Sequence, residues 1–106
     1  HGGRQLDGSC APFDQLMKIV DAVGHKIDVI CEGGIQRGTH VLKALAAGAK
    51  ACSGGRLYLY ALAGAGQPGV ERALQNFETE LIRDMKLMGC KVVGDLDRSK
   101  LNFRKR

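Results

Sequence analysis

The sequence predicts a parallel α/β fold, and a piece of one that wants more strands than it contains. Three observations carry this. Apolar residues alternate between helical spacing and short, strand-like runs. Both strand-like runs end in a pair of glycines, the punctuation of a strand that turns into a loop at a ligand-facing edge. Only two such runs are present, and a parallel pair covered by helices leaves both sheet edges unpaired.

The elements follow in order. HGGRQLDG, residues 1–8, is polar and glycine-rich and reads as a loop. In APFDQLMKIVDAVG, Leu16, Ile19, Val20 and Val23 fall at helical spacing and Gly24 is the stop. KIDVICEGG has a short β-branched core from Ile27 to Cys31, the mark of a buried strand. GTHVLKALAAG is a second helix, with Thr39 as its expected cap and Gly48 as its stop. AKACSGG is the second strand. RLYLYALAGAGQPG reads as a loop with some helical content. From Gly69, VERALQNFETELIRDMKLMG forms an amphipathic helix, with Val70, Leu74, Phe77, Leu81, Met85 and Met88 along one face. VVGDLDRSKLNF reads as a short helix and a tail.

Composition sets the outer limits. The 106 residues are 44% hydrophobic and 25% charged, ordinary for a soluble domain. Glycine is in excess at 15 residues, which suits several tight turns. No run approaches the ~20 apolar residues of a membrane span, and no signal peptide is visible. The net charge of +5 owes much to Arg104, Lys105 and Arg106, which read as a solvated terminus, with a membrane-surface or nucleic-acid role as the alternative. The aromatics are not interleaved with basic residues, so nucleic-acid stacking has no support. Cys10, Cys31, Cys52 and Cys90 include no C-x-x-C and match no zinc signature, so we expect no metal site. Cys31 and Cys52 lie in apolar runs as buried thiols, and the set reads as reduced, in a cytoplasm-like compartment.

The chemistry is in three glycine-rich loops, His1–Arg4, Glu32–Gly38 and Ser53–Arg56, the first placed by counting an unseen strand before His1. In a parallel α/β fold all three lie at strand C-terminal ends on one face, where such folds bind ligands. Glycines let backbone N–H groups approach an anion, and a following helix start adds partial positive charge. Each loop also carries an arginine, Arg4, Arg37 or Arg56, suited to a phosphate or carboxylate. Taken singly these are turns and surface arginines; two successive Gly-Gly-(x)-Arg loops one strand apart point to a phosphate site. His1 stands three residues from Arg4, a proton acceptor beside an anion clamp. His25 and His40 read as a turn residue and an exposed helix residue.

HGGRQLDG, EGGIQRGTHVLKALAAGAK, SGGRLYLYALA and MKLMGCKVVGDLDRS, in that order, resemble the FMN-dependent α-hydroxy acid dehydrogenase/oxidase family. That family includes glycolate oxidase, L-lactate oxidase, mandelate dehydrogenase and the flavin domain of flavocytochrome b2. Its members carry a stretch like S-N-H-G-G-R-Q-L-D, then D-G-G-[IV]-R-R-G-T-D, then G-R-P-x-L-Y. The resemblance covers essentially the whole chain. It implies a (β/α)8 TIM barrel, of which this chain is the C-terminal portion, from about the end of the sixth strand to the eighth helix, with the N-terminal part of the barrel expected as a companion. It implies FMN as cofactor and oxidation of an L-2-hydroxy acid, lactate-, glycolate- or mandelate-like, to the 2-oxo acid. By position, His1 matches the catalytic base and Arg4 the arginine that grips the substrate carboxylate. Glu32, Gly33, Gly34, Gln36, Arg37, Gly55 and Arg56 match residues around the FMN phosphate. The resemblance favours a tetrameric homo-oligomer. The expected location, from the reduced cysteines, is the cytoplasm, with peripheral contact with the inner membrane left open.

The sequence departs from the family pattern at four places. Glu32 replaces Asp, Gln36 replaces the first arginine of the R-R pair, His40 replaces Asp and Leu57 replaces Pro. A neutral amide in place of a forked cation weakens phosphate binding by ~1–3 kcal/mol unless another group compensates. Glu32 and Gln36 therefore motivate the alternative of a non-catalytic phosphate- or flavin-binding barrel.

Overall fold

The computed structural model describes residues 2–104. The chain runs α1 (Gly2–Gln5), α2 (Pro12–Val23), β1 (Ile30–Glu32), α3 (Gly38–Ala46), β2 (Ala51–Ser53) and α4 (Arg56–Leu87), then 3-10 turns at Val93–Asp95 and Arg98–Lys100. The two strands pair in parallel, with Ile30 opposite Ala51, Cys31 opposite Cys52 and Glu32 opposite Ser53. Parallel pairing requires a crossover, and α3 supplies it. The expected alternation of helix and strand is therefore present, as a small sheet carried by helices.

Helices cover one face of the sheet. Cys31 is buried against Leu16 of α2, Ala44 of α3, Ala47, Ala49 and Ile35. A second cluster joins Leu42 and Ala46 of α3 to Met85 of α4, Cys90 and Leu96. The helix α3 is thus central, and its alanines are what let two layers close on it. Ala44 and Ala46, and Ala47 directly after the helix, are all at most 1% exposed, and a longer side chain at any of them would force the layers apart. Arg98 closes the far end of the fold, with its guanidinium 2.6 Å from Asp21 on α2.

Several expectations are corrected. The first strand is only three residues long, and Ile27 and Ile30 are exposed. Side chains alternate along a strand, so Cys31 takes the helix face while Ile30 points to the uncovered one. The opening octet is not all loop, because Gly2–Gln5 makes one turn of helix. Thr39 is not a cap; α3 begins one residue before it, at Gly38. The segment 56–68 is helical and continuous with the long helix, interrupted by non-helical backbone at Ala65 and Gly66 next to Pro68. Proline removes one N–H from the helical ladder, and the chain kinks there instead of stopping. On the apolar face of α4, Met85 is buried and Val70, Phe77, Leu81 and Met88 are half-buried, but Leu74 is exposed. The short helix expected in the final segment is present as two 3-10 turns.

Candidate functional site

The parallel register of β1 and β2 sets two glycine loops side by side. Both strands end at the same level, Glu32 opposite Ser53, so Gly33–Arg37 and Gly54–Gly55 leave the sheet at one edge. Between them lies a cavity of 220 Å³ lined by Glu32, Gly33, Gly34, Ile35, Gln36, Ser53, Gly55, Arg56 and Leu57. It gathers six of the residues expected there: Glu32, Gly33, Gly34, Gln36, Gly55 and Arg56.

The backbone explains why glycine stands in the first loop. Gly33 and Gly34 have φ of +113° and +73°, in the left-handed region that side chains disfavour. At Gly33 a Cβ would also stand 2.7 Å from Pro12 Cγ, so this residue seats the loop on the start of α2. At Gly34 a Cβ would meet nothing within 4 Å, and the loop there faces open space. The opposite wall is the start of α4. Gly55 precedes its first turn, and among the described residues no side chain caps it, so the leading N–H groups of that helix can meet an anion. Arg56, the first helical residue, adds a permanent positive charge. Bare backbone, a helix start, one arginine and the Gln36 amide form a donor set that fits a phosphate group. The carboxylate of Glu32 on the rim is the contrary element, because it repels an anion.

Arg37 lies outside this lining. Its Nε and Nη2 donate to Glu80 Oε1 at 2.8 and 2.7 Å, directing the guanidinium to α4. The other oxygen, Glu80 Oε2, accepts the Gly38 N–H at 2.8 Å, capping α3 from a different helix. One turn further on, Asp84 Oδ2 accepts the Thr39 hydroxyl at 2.6 Å. Both carboxyls sit below the usual range. For Glu80 the leading causes are the bonds from Arg37 and then Gly38, and for Asp84 the leading cause is the Thr39 hydroxyl.

His40 is not the exposed bystander expected; it is half-buried and bonded to the loop. Its Nδ1 is 3.2 Å from the Gln36 backbone nitrogen and 3.1 Å from the Gly34 carbonyl oxygen. A single ring nitrogen serves only one of these at a time: unprotonated it accepts from Gln36, protonated it donates to Gly34. Either way the imidazole ties α3 back to the loop before it. The sequence signal for His40 was its spacing, four residues after Gln36 and so one turn from the loop. Glu80 and Asp84 gave no such signal, being 43 and 45 residues from Arg37 and Thr39.

The remaining candidates are placed as follows. Arg4 is exposed on α1 and does not line the cavity. His1 lies outside the described residues. Beside the cavity-lining Ser53, burial and then the neighbouring Cys31 push the Cys52 thiol up to about 11, which disfavours the thiolate. Burial raises the Cys31 thiol as well, with Glu32 adding to it. Among the described residues no helix is long and apolar enough to cross a membrane.

Comparison with known proteins gives a consistent pattern. A family model described as FMN-dependent dehydrogenase matches residues 1–103. An L-lactate oxidase of Nostoc sp. is 48% identical over 103 residues, which are 97% of this chain and 28% of that protein. A solved mandelate oxidase variant with a monooxide FMN adduct superposes at a TM-score of 0.86 and 45% identity, covering 92% of this chain and 31% of that one. A soluble form of the membrane-associated (S)-mandelate dehydrogenase of Pseudomonas putida superposes at 0.91 and 36% identity, covering 98% and 29%. The chain therefore spans under a third of the length of the relatives it matches.

Proposed function

This chain belongs to the FMN-dependent dehydrogenase family, and from that premise we propose that it is the C-terminal segment of a (β/α)8 barrel that oxidises an L-2-hydroxy acid to the 2-oxo acid. Its strands are the seventh and eighth of the barrel, and the segment runs from the end of the sixth strand to the eighth helix. The rest of the barrel pairs with the open edges of β1 and β2 and with the uncovered face that carries Ile30. Assembly into a homo-oligomer is part of the same reading.

The observation that carries the proposal is the cavity between the two glycine loops. Adjacent parallel strands deliver six of the seven residues expected around an FMN phosphate to one 220 Å³ space, beside an uncapped helix start. When bound, FMN supplies the two-electron acceptor that no amino-acid side chain provides. The residues of this chain do the rest. Gly33, Gly34 and Gly55 allow close backbone approach; Arg56 and the first turn of α4 supply positive charge; Gln36 contributes a neutral donor. Arg4 holds the substrate carboxylate as a forked pair of hydrogen bonds, fixing the α-carbon. His1 takes the proton released as the hydroxy acid is oxidised.

The test uses the complete barrel containing this segment. The protein as purified is expected to show flavin absorbance that bleaches anaerobically on adding L-lactate, glycolate or mandelate. A folded, complete barrel that retains no flavin, or flavin that none of the three reduces, would sink the proposal.

A further inference from the structure

The helix α4 bears on the cavity in two ways, one direct and one through its neighbours. Its start, Arg56 and Leu57 with the preceding Gly55, is one wall. Its carboxylate at Glu80 then reaches back to residues 37 and 38, directly after the other wall, Glu32–Gln36. Both Glu80 oxygens are committed, Oε1 to the Arg37 guanidinium and Oε2 to the Gly38 N–H. The side chain of Glu80 is only 19% exposed, whereas that of Arg37 is 60% exposed, so the acid is the anchored partner and the arginine the one drawn to it. Asp84 repeats the arrangement with Thr39 one turn later. Three consecutive residues are thereby held to one face of α4.

We propose that Glu80 is a positioning residue for the phosphate-binding wall, fixing Gly33–Gln36 opposite the start of α4 by capping α3 and locking Arg37. The inference rests on reading the cavity as the FMN phosphate site, and it assigns that site a determinant that does not line it. Glu80 never meets the ligand. It acts by setting where the loop ends and α3 begins, and by holding the Arg37 charge on α4.

The experiment compares FMN with riboflavin, which lacks the phosphate, by flavin-fluorescence titration of the complete barrel as wild type, E80A and E80Q. For E80A the Kd of FMN is expected to rise about tenfold, the scale of losing charge-assisted bonds, while the Kd of riboflavin changes by less than about twofold. E80Q should fall between, because its amide oxygen still accepts one donor but carries no charge toward Arg37. A merely structural role would weaken both flavins together, and that result overturns the inference. So does unchanged or tighter FMN binding by E80A, which would show that released Arg37 serves the phosphate. If E80A does not fold, E80Q decides alone: unaltered discrimination between the two flavins refutes the role. A wild-type barrel that does not prefer FMN to riboflavin refutes the phosphate reading itself, before any variant is read.

Discussion

Replacing Gly38 with alanine perturbs the contact on which the loop geometry depends. Gly38 has no positive φ to protect, so the objection to a side chain is purely one of space. A Cβ there would stand 2.6 Å from Glu80 Cβ, 2.6 Å from Leu81 N and 2.6 Å from Phe77 O. Two of those three atoms are backbone and cannot swing aside. Ordinary contact begins near 3.4 Å, so the start of α3 must withdraw by about 0.8 Å, the difference between 3.4 and 2.6. Added along the bond to the 2.8 Å between Gly38 N and Glu80 Oε2, this gives about 3.6 Å, beyond hydrogen-bond reach. Overpacking of this kind costs ~1–3 kcal/mol, and rigid neighbours place it at the upper end. The better helix propensity of alanine returns at most ~1 kcal/mol. G38A should therefore lose about 2 kcal/mol of stability, read as a lower urea midpoint at unchanged slope in the complete barrel. The same variant should lose affinity for FMN and keep its affinity for riboflavin. A G38A protein within ~0.5 kcal/mol of wild type and with undiminished FMN affinity would refute the packing argument.

Three other outcomes are expected. Gln36→Arg restores a cation on the cavity lining and should tighten FMN binding about tenfold without changing riboflavin binding; no gain would show that position 36 does not face the phosphate. Leu42→Ala, at a residue 3% exposed in the α3–α4 cluster, should cost ~2–5 kcal/mol in denaturant unfolding, and a cost below ~1 kcal/mol would show that the cluster is not packed as described. The bonds of Glu80 and Asp84 to residues 37–39 should also give way in acid. The Glu80 and Asp84 carboxyls are lowered in the folded chain relative to their usual values of 4.5 and 3.8, so their contribution is complete above those values and is lost as pH falls through the lowered folded ones. The E80Q variant should be less stable than wild type at neutral pH and lose stability less steeply below about pH 4.5; identical slopes in urea midpoint against pH would remove Glu80 from the acid response.

What the sequence made legible was what is written locally. Helix α2 and the strand–loop–helix order follow from apolar spacing over a dozen residues, and the glycine pairs mark both strand ends because left-handed backbone leaves few other choices. The first half of α4 was not legible, since Gly64, Gly66, Pro68 and Gly69 are the composition of a loop. Packing at the kink overrides that signal: a Cβ on Gly69 would fall 2.2 Å from the Ala61 carbonyl oxygen, so the bent chain folds closely on itself only because glycine is there. Glu80 and Asp84 were beyond reach for a different reason. Nothing in the spacing of Glu80 or Asp84 distinguishes them from other solvated charges of an amphipathic helix, and only the crossover of α3 brings residues 37–39 onto them.

The same geometry decides what the change at position 36 means. From sequence, Gln36 and Arg37 are adjacent polar residues in one loop, and the arginine that remains looks able to stand in for the missing one. The extended backbone at Arg37, with φ −140° and ψ 152°, sends neighbouring side chains to opposite sides. Gln36 therefore lines the cavity while Arg37 turns to Glu80. For Arg37 to compensate, it would have to leave a carboxylate that binds it through two nitrogens, and that carboxylate would then have lost half of its partners beside α3. The substitution thus leaves Arg56 and the start of α4 as the positive elements of a lining that also includes Glu32. If the cavity is the proposed FMN phosphate site, the wall that begins α4 carries most of the affinity. Arg56→Ala should therefore weaken FMN binding more than any single change in the Gly33–Gln36 wall, and the reverse order in a titration of the two sets of variants would show that the glycine loop carries the affinity.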